Sequence, residues 1–332
     1  MKSKLAALVL AAATLFSSAA MADVQKIRII GSLPLGHHMS KALTVFKKAV
    51  EGKTKIKVDT FPASQLYNDS DSVRVLPTGS VDMGVVQLDM WMGLVPSAGI
   101  LYMPTYYDSL DQFYAIRKFV TPMLSERLEA KANVKLLGWA DYDSEALISK
   151  KKLEKLEDFK GTKLRGYGQY AAAFLQSLGS SPVVMSSSEA YDSLAKGVID
   201  GTMSGPTSHY SRKFFEVADY LISQKTFIQP VFCYAILINL DTWKKLSAAE
   251  KTAVQAGADE IQTYTSDAFQ KATAEALAAL EKKGVTMVDI VPAEFERIKA
   301  VVRPALEAKL EKDAGADVAK PILDYVRSLR SK

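Results

Sequence analysis

KIRIIGSLPLGHHMSKALTVFKKAVEGKTKIKVDTF, residues 26–61, sets the architecture. Lys26-Ile27-Arg28-Ile29-Ile30 reads as a strand, ended by Gly31 and Pro34. Met39, Leu43, Phe46 and Val50 then recur at spacings of four, three and four, the period of a helix with one apolar face. Gly52 stops that helix, and Lys55-Ile56-Lys57-Val58-Asp59-Thr60-Phe61 alternates as a half-buried strand. Outward from this unit, a helix is expected from about Asp69 to Thr78 with Gly79 closing it, then a strand from Met83 to Leu88. Strands alternating with helices predict an α/β fold whose sheet is covered on both faces.

The same grammar returns later in the chain. Ser70-Asp71 opens a helix leading to Leu76-Pro77-Thr78-Gly79-Ser80-Val81-Asp82, and Ser188-Glu189 opens another leading to Leu194-Ala195-Lys196-Gly197-Val198-Ile199-Asp200. Each has an acid in its first turn, where the helix dipole favours it, and a glycine before the next strand. Two equivalent units in one chain fit two lobes of related architecture. From Leu246 to about Lys283 the sequence is rich in Ala, Glu and Lys, with one glycine and no proline, and reads as one very long helix or two nearly collinear ones. Gly284 ends it, Val285 to Ile290 reads as a strand, and Pro292 starts another helix. A long helix of this kind would tie two lobes together and suit hinge closure over a ligand.

The 332 residues are 48% apolar and 24% charged, ordinary globular composition that excludes a mostly disordered or coiled-coil chain. A net charge of +5 is too mild to imply nucleic acid. The lone Cys233 excludes an internal disulfide framework and every CxxC motif. Residues 1–22 stand apart: Lys2 and Lys4, an apolar run from Leu5 to Phe16, then Ala20-Met21-Ala22. This is the three-part pattern of a secretory signal peptide cleaved near Ala22-Asp23, too short in its apolar part to span a membrane. The expected product is an exported bacterial protein without a lipid anchor or transmembrane segment.

Catalytic and cofactor motifs fail on context. Gly166-Tyr167-Gly168-Gln169-Tyr170-Ala171 matches G-x-G-x-x-A, but the preceding Thr162-Lys163-Leu164-Arg165 is too short and charged for the central strand of a dinucleotide fold. A better use of that geometry is a strand end that delivers Arg165 beside a helix N-terminus, where backbone N–H groups favour an anion. His37-His38 has His209 as its only histidine companion and no HExxH, so ligand contact is a better reading than metal. Ser204 has no motif partner that would make it a nucleophile. No enzyme activity, cofactor or metal is expected.

Over essentially the whole mature chain, the sequence resembles the solute-binding proteins of tripartite ATP-independent periplasmic (TRAP) transporters, the DctP type. The resemblance is carried by Phe61-Pro62-Ala63-Ser64-Gln65-Leu66, Gly79-Ser80-Val81-Asp82-Met83 and Leu156-Glu157-Asp158-Phe159-Lys160-Gly161-Thr162-Lys163-Leu164-Arg165. Leu178-Gly179-Ser180-Ser181-Pro182-Val183, Gly197-Val198-Ile199-Asp200-Gly201 and Tyr210-Ser211-Arg212-Lys213-Phe214-Phe215-Glu216-Val217 follow in order. The resemblance implies a two-lobed periplasmic binding protein fold, with a ligand cleft between the lobes and a long helix spanning both. It also implies capture of an organic acid for delivery to the small and large subunits of a membrane permease. Arg165, closing the K-x-R segment, is the residue the resemblance assigns to the ligand's acid group, and a guanidinium presents two parallel donors to an oxyanion. Lobe I is expected at 23–142 plus about 231–268, and lobe II at 143–230 plus about 269–332.

Two departures narrow the ligand. Where many relatives carry a D-G-Q-E-N-P run, this chain has Asp200-Gly201-Thr202-Met203-Ser204-Gly205, which puts the shorter Ser204 in place of an asparagine. Where sialic-acid-binding relatives carry a second arginine, the chain has Glu145. A glutamate facing Arg165 suits a small monoanion with a donor end, hydroxyl or ammonium; a C2 sulfonate such as isethionate is the first expectation, with hydroxy and amino acids next. Gln87 and Trp91, with Ser32 or His38, are expected to supply the first lobe's half of the pocket, and Tyr142, Ser187 and Phe232 to wall the other side. The competing readings are a larger carboxylate in the same transporter class, or a binding protein serving an ABC transporter or a sensor kinase.

Overall fold

The computed structural model describes residues 24–222 and 231–330; the expected signal segment lies outside the described residues. Strand β1 (Lys26–Gly31) buries Ile27 and Ile29 completely and pairs in parallel with β2 (Lys57–Phe61) on one side and β3 (Met83–Val86) on the other. Helix α1 (His38–Glu51) makes the crossover, its buried face running through Met39, Leu43, Phe46 and Val50. Two antiparallel strands, β4 (Val134–Asp143) and β10 (Phe232–Asn239), complete a five-stranded sheet in the order β2-β1-β3-β10-β4.

A second sheet contains β5 (Ala146–Ser149), β6 (Lys163–Gly166), β7 (Ser181–Val184), β8 (Gly201–Ser204), β9 (Tyr220–Ile222) and β11 (Thr286–Val288). Its order is β11-β9-β5-β8-β6-β7. A separate apolar cluster, including Ile148, Leu194, Ile199, Phe214 and Leu221, packs beneath it. The chain passes from the first sheet to the second through Ser144 and Glu145 alone, between β4 and β5. It returns between β9 and β10.

The remaining helices are α2 (Ser72–Val75), α3 (Leu110–Ala132), α4 (Gln169–Ser177), α5 (Ala190–Ala195), α6 (Pro206–Ser211), α7 (Leu240–Lys245), α8 (Ala248–Lys282), α9 (Pro292–Ala314) and α10 (Ala316–Arg330). The long helix is α8, a single run of 35 residues and so roughly 50 Å long. Its start is a capping box: Glu250 N–H donates to Ser247 Oγ, and Ser247 N–H donates to Glu250 Oε2. Ala253, Val254, Ala258, Ile261, Thr265, Phe269, Thr273, Ala276 and Leu280 form one continuous buried face. That face lies on α1 and β4 from the first sheet and on α6 from the second. Side chains peg it to the end of β4: Thr265 Oγ1 accepts from Asp141 N–H, Ser266 Oγ donates to Asp141, and Thr273 Oγ1 donates to Asp143.

Three expectations need correction. Helix α2 is one turn instead of the full span to Thr78, because Pro77 and the left-handed Gly79 turn the chain early. Strand β11 covers three residues, not Val285–Ile290. Strand β3 stops at Val86, short of Leu88, where the 3-10 turn Leu88–Trp91 begins. Helix α9 packs on α4 and on the 3-10 segment Pro96–Tyr102, and α10 packs on α9 and α3. Among the described residues, no helix is long and apolar enough to cross a membrane.

Candidate functional site

The carboxyl ends of β1, β3 and β4 meet those of β6, β7 and β8, which in open α/β sheets is where ligands bind. Between them lies a small cavity whose lining comes from both sheets, the kind of place where small-molecule sites form. Gln87 follows β3, Glu145 lies on the crossing between sheets, Arg165 is in β6, and Ser187 follows β7. Ser204 ends β8. Tyr142 and Phe232 come from β4 and β10, where the ladder slips: Phe232 is opposite Asp143 and Cys233 opposite Asp141, so Tyr142 has no partner in register. Such a bulge re-aims side chains next to functional sites.

Seven of the ten residues expected at the site therefore line one cavity: Gln87, Tyr142, Glu145, Arg165, Ser187, Ser204 and Phe232. The other three do not. The 3-10 turn Leu88–Trp91 rotates Trp91 away from the cleft into the core, where its indole N–H donates to Ser72 Oγ at 3.2 Å. Ser32 faces a separate void beside Met39, Ser40 and Leu43. His38 opens α1, stacks on His37, and places Nε2 3.2 Å from the Asp141 carbonyl, behind the cavity.

Arg165 is 2% exposed and is held by backbone. Its Nε donates to Met185 O at 3.1 Å, Nη2 to the same oxygen at 2.9 Å, and Nη1 to Met203 O at 3.0 Å. Guanidinium has five N–H donors, so among the described residues one is left over on each terminal nitrogen, a fork for an oxyanion. Burial lowers the Arg165 pKa, and nearby Asp69 partly opposes that effect. A buried cation whose direct partners are neutral carbonyls favours an anionic ligand.

Glu145 is 1% exposed, and among the described residues neither carboxylate oxygen has a hydrogen-bond partner. Burial pushes its pKa up to about 8; the Tyr167 hydroxyl stands near enough to lower it somewhat but outside hydrogen-bonding geometry. Asp89 is a second such group. It is buried at the start of α4 against Gly168, whose missing Cβ would collide with the Asp89 carboxylate, and its pKa is likewise raised by burial to about 8. Thus the helix N-terminus expected to favour a ligand anion beside Arg165 carries a side-chain carboxyl of the first sheet.

Two chains of hydrogen bonds cross the cleft. His37 Nδ1 accepts from Met39 N–H, so Nε2 carries the proton and donates to Thr207 Oγ1 at 2.7 Å. Thr207 Oγ1 in turn donates to Asp143 Oδ2 at 2.5 Å. Burial holds the His37 pKa well below the usual histidine range, consistent with this neutral tautomer. At the second crossing, Arg212 Nη2 donates to the Ser32 carbonyl and to Ser187 Oγ, which donates to Asp69 Oδ2 at 3.2 Å. The cleft is therefore closed.

Sequence reasoning missed Leu33, Tyr167, Gly205, Ser208 and Tyr234 in the lining. Tyr167 sits inside the glycine motif weighed for cofactor binding, and its place after a strand end was the available signal. Tyr234 carried none, because only the pairing of β10 with β4 brings it to the cleft. Among the described residues no cluster of three or more His, Cys, Asp or Glu forms a metal site.

The sequence matches the family described as DctP, bacterial extracellular solute-binding protein, family 7, over residues 31–313. It is 27% identical over 281 residues to the C4-dicarboxylate-binding periplasmic protein DctP of Rhodobacter capsulatus, covering 83% of this chain and 80% of that one. A TRAP periplasmic solute binding protein from Desulfovibrio salexigens, with bound orotic acid, shares the fold at a TM-score of 0.85 and 19% identity, covering 92% of this chain and 99% of that one. The sugar acid binding protein DctPAm from Advenella mimigardefordensis, in complex with galactonate, gives a TM-score of 0.85 at 23% identity, with the same coverage of 92% and 99%. With its two sheets, its closed cleft and a family match across most of its length, this chain belongs to the DctP family, family 7 of the bacterial extracellular solute-binding proteins.

Proposed function

We propose that the protein captures a small organic anion in the periplasm and hands it to the small and large subunits of a TRAP membrane permease, without chemistry on the ligand. The observation that carries this reading is Arg165: a buried guanidinium, fixed by two backbone carbonyls, with one N–H free on each terminal nitrogen. The relatives named above bind C4-dicarboxylate, orotic acid and galactonate, all organic acids. The small cavity and Glu145 on its wall favour a small organic anion whose other end is a hydroxyl or ammonium donor: a C2 sulfonate, isethionate among them, or a small hydroxy or amino acid. At a ceiling near −1.5 kcal/mol per heavy atom, about seven atoms give at most about −10 kcal/mol, between micromolar and nanomolar.

Thermal shift of the mature protein against C2 sulfonates, hydroxy acids, amino acids, dicarboxylates and sugar acids identifies the class, and calorimetry with the best ligand tests the anchor. Arg165→Ala is expected to weaken binding by about a hundredfold or more, since truncating one side of a buried charge pair is costly. Near wild-type affinity in that variant would remove Arg165 from the site.

A further inference from the structure

The wall around Glu145 is aromatic. Tyr142, Tyr167, Phe232 and Tyr234 all line the cavity. Phe232 meets Tyr167 edge-on with ring centroids 4.9 Å apart, Tyr142 at 5.9 Å and Tyr234 at 6.0 Å. Into this lining also face acceptors with no donor among the described residues: both oxygens of Glu145, and Oε1 of Gln87. Buried acceptors left unpaired are costly, and a buried carboxylate without a cation more so. A ligand hydroxyl supplies one donor and no charge. A primary ammonium supplies three donors and one positive charge, and aromatic faces attract it as well.

We infer that the solute is a small zwitterion, with its acid group on the Arg165 fork and its protonated amine among the four rings, bonded to Glu145 and Gln87. The inference deepens the reading above and rests on it, because Arg165 must still hold the anionic end. The amine also accounts for the charge balance, since it supplies the cation that an ionised Glu145 lacks. With nothing beside it, burial favours the protonated form of that carboxyl at neutral pH; an adjacent ammonium favours the ionised one.

The test is calorimetry on the full mature chain with pairs that differ only in the donor: taurine against isethionate, and β-alanine against 3-hydroxypropionate. The amine of each pair is expected to bind at least about tenfold more tightly. Glu145→Gln, close in shape, is expected to erase that preference, weakening the amine at least about tenfold more than its hydroxy partner. Equal or tighter binding of the hydroxy member, or of succinate, overturns the zwitterion and leaves the Arg165 reading standing. Silence from every amine, hydroxy acid, dicarboxylate and sugar acid overturns both.

Discussion

Gly205 shows how tightly single residues define the cleft. A Cβ there would run into the Asp143 carboxylate, which already accepts from Thr207 N–H at 2.8 Å and Thr207 Oγ1 at 2.5 Å. Gly205→Ala is expected to cost about 1–3 kcal/mol, seen as a fall in melting temperature of several degrees. The place of Arg165 was legible at this scale because a marked strand end delivers it, and that of Glu145 only through the resemblance to relatives that carry an arginine there. Trp91 was not, since one 3-10 turn decides whether residue 91 faces the cleft or the core, and strand-end spacing cannot express that turn. Asp89 was equally hidden. Its importance comes from touching Gly168, a residue of the other sheet's side, and no local pattern encodes that meeting.

Among elements, β1, β2, the start of β3 and the first crossover helix could be read from apolar pattern and turn residues, and the long α8 from its Ala-, Glu- and Lys-rich run without proline. Short pieces resisted: α2 and β11 are trimmed by neighbouring turns, and α10 settles on α3 through contacts between distant parts of the chain. The junction of α1 with α6 offers a direct test. Thr207 relays a proton donor from His37 to Asp143 across the cleft. Thr207→Val leaves the His37 N–H unpaired and is expected to speed ligand release about three- to tenfold with little change in the association rate, measured by stopped-flow tryptophan fluorescence. Thr207→Ser restores the relay and should restore slow release. If valine leaves the release rate unchanged, the relay does not hold the closed state.

For the whole molecule, a link between closure and protons is expected. Asp89 and Glu145 have pKa values near 8 in the closed cleft, against about 4 when such groups face water. Asp89 is raised first by burial and then by Asp69; Glu145 by burial and then by Asp89, with Arg165 opposing. Between about pH 4 and pH 8 the closed, empty form therefore binds more protons than a form with the sheets apart. Its advantage is full below about pH 4 and is lost as pH rises through about 8. Small-angle scattering of ligand-free protein should give a smaller radius of gyration at pH 5 than at pH 9; the same radius at both would break the linkage. The chain crossings add a directional rule. The sheets are joined through Ser144 and Glu145, by the return from β9 to β10, and by α8 pegged to Asp141 and Asp143. Such a body behaves like a clasp with its pin on one edge. Opening about that pin would move the outer surface least there and most at the lip, where Asn68 and Ser70 of one half stand over Val184 and Glu189 of the other. In the role proposed above, a permease would have that lip to read.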